Sequence, residues 1–165
     1  MIQKSLFLTE QDSNYQFSAE DESWIQRLWA WADEHNIPSE DLPRDKDKLL
    51  KKRHLDLIMV YFGLDDIPAD SEGEVSFSIK RGSFPKEIGK LAQLEKLCIN
   101  YNFIERLPDS IVNLKNIKKL CLSHNKYLVL TFSQKLWIWE LEKNGATVEY
   151  DEDLMHRTIE KTMKL

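Results

Sequence analysis

Five glycines and two cysteines are all that this 165-residue chain contains, and no apolar run approaches the about 20 residues of a membrane span. So little glycine leaves scant material for loops that cradle a nucleotide phosphate. The chain also lacks His-Glu-x-x-His, Gly-x-Ser-x-Gly and Cys-x-x-Cys, the short signatures of common hydrolytic and redox sites. Two cysteines do not make a disulfide framework, which points to reduced thiols and a cytoplasmic protein. Residues 1–10 hold only the short apolar group Leu6, Phe7 and Leu8, without the long apolar core or cleavage site of a signal peptide. A basic patch is missing as well. The 23 basic residues are outnumbered by 28 acidic ones, for a net charge of −5. The densest basic run, residues 46–53, is interrupted by Asp47 and preceded by Asp45, so it reads as a solvated face. Neither a nucleic acid nor a membrane is expected as partner.

What the sequence does have is a repeat. Leu91 and Leu114 are 23 residues apart, and the same offset joins Leu94 to Ile117, Leu97 to Leu120, Ile99 to Leu122 and Asn102 to Asn125. The stretch Leu94-x-x-Leu97-x-Ile99-x-x-Asn102-x-Ile104 fills every specified position of the leucine-rich-repeat template. Leu107-Pro108 precedes Leu120 by 13 residues, Phe84-Pro85 precedes Leu97 by 13, and Leu42-Pro43 precedes Leu55 by 13. That phase predicts an earlier strand at 55–57, with Leu49 matching Leu114. It also suggests a degenerate copy at 75–77, which follows Ile67-Pro68 closely and has Lys80 where asparagine is expected. Four repeat strands are therefore expected, starting near Leu55, Val75, Leu97 and Leu120.

Physical chemistry explains the pattern. Alternating apolar residues give a strand with one buried face. The asparagine that follows can bond turn backbone otherwise buried without a partner. Proline then starts a return arm whose Ile and Leu close the core from the other side. A single copy cannot bury its own apolar edge, so at least about three must stack.

The pattern resembles the bacterial 23-residue leucine-rich repeat, with its Leu-Pro-x-x-Ile-x-x-Leu descending arm. The resemblance implies an α/β repeat fold. It would be a short solenoid with parallel strands on a concave face and helical caps at both ends. We read the chain as a single domain. An arm and cap helix occupy 1–41, the repeats 42–132 and a C-terminal cap 133–165.

All five tryptophans lie where such caps belong. Residues 18–21, Ser-Ala-Glu-Asp, read as a helix start, and Trp24, Ile25, Leu28, Trp31 and Ala32 follow at helical spacing. Pro38 ends that helix. Ser133 precedes a second one over 134–143, with Leu136, Trp137, Trp139 and Leu141, stopped by Asn144-Gly145. Residues 146–150 alternate like an edge strand, and 151–164 look helical. This tail is similar to the Trp-containing helix, Asn-Gly turn and strand that close many bacterial repeat proteins. The tryptophans therefore read as covers for the core, with Trp29 or Trp31 and Trp137 or Trp139 largely buried.

Side chains that flank the inward leucines must point outward. The outward set is Asp56, Ile58 and Met59; Ser76, Ser78 and Ile79; Cys98, Asn100 and Tyr101; and Cys121, Ser123 and His124. With Asp56 its only firmly charged member, the set matches the composition of an interface core. Lys86, Glu87, Lys90, Lys115 and Lys118 read as the solvated coat of the opposite side. Relatives of this repeat mostly bind proteins, so the expected function is protein–protein interaction through the concave face, with Tyr101 as anchor. Cys98 and Cys121 should be neighbouring, exposed and reduced. Joined by His124, they offer the alternative of a metal- or thiol-dependent enzyme, but a zinc site would need further ligands that Asn100, Ser123 and Tyr101 supply poorly. The remaining histidines, His35, His54 and His156, have no catalytic partner at a telling spacing. Glu149, Asp151, Glu152 and Asp153 lack the alternation and central glycine of a calcium loop. No catalytic residue, metal or cofactor is therefore expected. A self-assembling structural unit is a third reading, although a monomer is the default. An effector delivered to a host cell is the one case in which the protein would leave the cytoplasm.

Overall fold

A computed structural model describes residues 19–58 and 82–158. In chain order its elements are α1 (Ala19–Glu34), α2 (Lys46–Leu50), β1 (His54–Asp56), β2 (Gly82–Ser83), β3 (Lys96–Cys98), β4 (Ile104–Arg106), β5 (Lys119–Cys121), α3 (Phe132–Lys143) and β6 (Thr147–Glu149). Single turns of 3-10 helix lie at Lys86–Lys90, Asp109–Asn113 and Leu154–His156. This is an α/β fold with a small parallel sheet.

The strands are three residues long, and the alternation of their side chains fixes them. Leu55, Leu97 and Leu120, at the strand centres, are fully buried, and Leu57, Ile99 and Leu122 follow them into the core. β1, β3, β5 and β6 form one parallel sheet in that order. Leu55, Leu97, Leu120 and Val148 share one row across it. Ile104 starts a second, two-stranded ladder in which β4 pairs with β2. Proline then turns each return arm into its 3-10 turn, where Ile88 and Ile111 are buried side by side. The two turns pack so closely that a Cβ on Gly89 would come within 2.3 Å of the Ser110 carbonyl oxygen.

The asparagines do what their position predicts. Asn102 Nδ2 donates to the carbonyls of Leu57 (2.7 Å) and Ile99 (3.0 Å). Asn125 Nδ2 donates to Ile99 and Leu122 (both 2.9 Å), and its Oδ1 accepts from the Ile104 N–H at 3.3 Å. Each asparagine thus ties its own turn to the strand before it.

Among the described residues, the sheet order sets strands side by side that are far apart in sequence. β1 pairs directly with β3, with Asp56 opposite Cys98, so these two strands are neighbours in the sheet. Leu55 and Leu97 are 42 residues apart, against 23 for Leu97 and Leu120. The surplus falls between β1 and β2, because β2 already pairs with the return arm of the next turn. Residues 75–77, Ile67, Pro68 and Lys80 themselves lie outside the described residues.

The two longer helices, α1 and α3, add buried residues to the core. Trp24, Ile25, Leu28 and Ala32 of α1 are buried, while Trp29 and Trp31 are half-buried against the core. Trp29 Nε1 donates to the Pro43 carbonyl at 2.9 Å. Arg27 Nε reaches Glu87 Oε1 at 2.8 Å, and Glu87 is buried, which corrects its placement in a solvated coat. The helix stops before Pro38: Asn36 takes a left-handed φ of 54°, and the Ile37 N–H bonds the Ala32 carbonyl. Its expected start at Ser18 lies outside the described residues.

At the other end α3 is capped by Thr131 rather than Ser133. Thr131 and Gln134 form a reciprocal capping box, and Gln134 Nε2 also donates to the Leu107 carbonyl at 2.9 Å. Trp137 is buried and donates to the Leu114 carbonyl at 3.0 Å, whereas Trp139 is 55% exposed. β6 joins the sheet edge as the alternation at 146–150 predicts. Beyond it the described residues hold one short 3-10 turn in place of the expected helix.

Candidate interaction face

Alternation puts His54, Lys96, Lys119 and Thr147 in one outward row of the sheet and Asp56, Cys98, Cys121 and Glu149 in the next. Lys96 Nζ lies 2.8 Å from Asp56 Oδ1, an ion pair without hydrogen-bond alignment, and Lys119 Nζ lies 3.0 Å from Glu149 Oε1. The lower half of this face is therefore charged and internally paired. That corrects the expectation of an uncharged strip. The residue just before each central leucine faces the same way as the residue just after it, and counting only the latter hid Lys96 and Lys119.

A second correction concerns the cysteines. Cys98 and Cys121 stand opposite one another in β3 and β5, with Cα atoms 4.4 Å apart, and are joined as a disulfide. Both are buried, at 2% and 3% exposure, so they are neither free nor accessible thiols. The two lysines lean away from the seam that the disulfide bridges, one toward β1 and the other toward β6. Among the described residues, no group of three His, Cys, Asp or Glu is placed to hold a metal ion.

The upper half of the face differs. Immediately past β3 and β5, Tyr101 and His124 both take a φ of 59°. Their rings stack at 4.1 Å between centroids, 9° from parallel. Tyr101 is 45% exposed and His124 is exposed. Two features hold the pair in place. The Tyr101 N–H bonds the Ser123 carbonyl at 3.1 Å, and the His124 N–H bonds Asp151 Oδ1 at 2.8 Å. Ile58, exposed at 36%, continues the face on the β1 side, and Asn100 and Ser123 are half-buried beside the aromatic pair. Met59, Ser76, Ser78 and Ile79 lie outside the described residues.

Sequence reasoning missed Arg157. Its guanidinium bonds Asp151 Oδ2 (3.0 Å), both carboxylate oxygens of Asp153 (2.7 and 2.9 Å) and the Asn125 carbonyl (2.8 Å). Hydrogen bonding from Arg157 is the main cause holding the Asp153 carboxyl below its ordinary range, and it raises the Arg157 pKa in turn. The acidic group at 149–153 is thus mostly paired, with Asp151 joining this clasp to the His124 backbone. Only an acid-rich stretch followed by one arginine signalled it in the sequence.

An open cleft of about 900 Å³ runs along the return arms past Phe84, Pro85, Leu107, Pro108 and Leu130, and Arg157 also lines it. Comparisons with protein-family models, curated proteins and solved structures gave no match to the chain.

Proposed function

We propose that the chain is a short leucine-rich-repeat solenoid that binds another protein through the Tyr101–His124 end of its concave face. The stacked aromatic pair carries this reading. Exposed aromatic side chains dominate the energetics of protein interfaces, and a pair fixed before binding loses little freedom on contact. The 23-residue recurrence, the parallel register and the asparagine bonds support the repeat assignment. An enzyme using Cys98, Cys121 and His124 is the less supported reading, since the disulfide leaves no thiol to act as nucleophile.

The test compares affinity captures from the native cells using wild type and Tyr101→Asn/His124→Asn. Asparagine is chosen because it tolerates the left-handed backbone of both positions. Proteins retained only by wild type are then measured by calorimetry, with an expected loss of about 2 kcal/mol in the variant. Identical captures at equal stability would refute this site.

A further inference from the structure

α3 is apolar on two opposite faces. Gln134, Trp137, Ile138 and Leu141 are buried, as the cap requires. Phe132, Leu136 and Trp139 are exposed at 82%, 44% and 55%. At about 100° per residue, the exposed three and Lys143 centre on a line directly opposite the buried four. Their i, i+4, i+7 spacing makes a continuous stripe along the helix, with Lys143 Nζ 5.0 Å from the Trp139 ring. Single exposed apolar residues are ordinary on a protein surface. Three in register on one helix mark a contact surface.

We propose that this stripe is a self-association site, in which α3 packs antiparallel against α3 of a second copy about a two-fold axis. Charge selects the occupant. In such a pairing each flank of one helix meets the same flank of its partner. One flank carries Lys135 and Glu142, so each Lys135 falls beside the other copy's Glu142, giving two complementary pairs. Leu136 then meets Trp139 across the axis, and Phe132 meets the stem of Lys143. A lipid surface fits less well, because Glu140 and Glu142 border the stripe and the chain carries a net charge of −5. A helix of this length offers less than the about 800 Å² per partner of a standard interface, so the dimer dissociates on dilution. This face is separate from the Tyr101–His124 pair, and the proposal does not depend on that pair's function.

Sedimentation equilibrium over about two decades of concentration tests it. Wild type should shift from monomer to dimer, and Leu136→Glu/Trp139→Glu should stay monomeric with an unchanged melting temperature, since both side chains are exposed. Lys135→Glu alone and Glu142→Lys alone should each weaken the dimer about fivefold or more, and the two combined should restore it. Tyr101→Asn/His124→Asn should dimerise as wild type does. A wild type that remains monomeric throughout, whether or not it co-sediments with phosphatidylcholine vesicles, overturns the proposal. So does a dimer that ignores the stripe variant or the charge exchange.

Discussion

Asn125 carries more of the fold than its size suggests. It is fully buried, and its amide serves three backbone groups from three segments. Asn125→Ala would orphan those groups where water cannot reach them, each worth about 1 kcal/mol or more. We expect a loss of about 2–4 kcal/mol in urea unfolding, and a loss under 1 kcal/mol would mean that the ladder is dispensable. At the cysteines the expectation is equally concrete. The disulfide closes a loop of 23 residues, and the chain-entropy model gives about 3 kcal/mol for that length. Denatured protein should show no free thiol before reduction and two after it, with the reduced form melting lower. Two titratable thiols in the unreduced protein would remove the bridge. The asparagine was legible in the sequence because turn chemistry leaves few substitutes for it. The disulfide was not, because side-by-side positions in parallel strands fix proximity but not oxidation state.

Elements show the same division. The return arms and the sheet at β3, β5 and β6 could be read in advance because two copies repeat in phase and the third strand alternates. The strand expected near Val75 lies outside the described residues, but the direct pairing of β1 with β3 has a physical reason. The chain there is longer than one repeat, and the stacked partner of β3 is chosen by burial of Leu55, not by distance along the sequence. Helical spacing likewise located α1 and α3 but could not say which tryptophan faces in, since α3 is apolar on both sides. This gives a paired prediction. Trp137→Ala should cost about 3–5 kcal/mol, and Trp139→Ala less than about 0.5 kcal/mol when measured dilute. Equal effects would mean that α3 is rotated from its described position. Gly89→Ala tests the contact between neighbouring 3-10 turns. With the Ser110 carbonyl 2.3 Å from the added carbon, one turn must move, and about 1–3 kcal/mol of destabilisation is expected. A variant as stable as wild type would show that the turns are not so tightly stacked.

Taken as a whole, the described part of the molecule is tied at residues 151–157 by ionisable groups, which makes its stability depend on pH in a predictable direction. Arg157 lowers the folded-state pKa of Asp153 below the ordinary carboxylate value, chiefly by hydrogen bonding. Glu95 is lowered mainly by a hydrogen bond from Lys118, with further help from Arg53. A carboxyl with a depressed folded pKa contributes stability that is present above its unfolded value, near 4, and is lost as pH falls through the folded value. Asp41 opposes the trend, because burial raises its pKa and favours the folded state as acid is added. On the alkaline side burial raises the Tyr150 pKa, with Glu142 adding to it. Its contribution is therefore present below about pH 10 and lost as pH rises through the raised value. These groups should thus make stability fall at both the acid and the alkaline end. Asp153→Asn isolates one term, since it keeps an acceptor for Arg157 but removes the titrating proton. Melting temperatures taken from about pH 7 down to 3 should fall less steeply in this variant than in wild type. The variant should also be less stable than wild type at neutral pH, where the charge is lost, and the gap should close as wild-type Asp153 becomes protonated. Parallel curves would mean that the clasp between Asp153 and Arg157 does not form in solution.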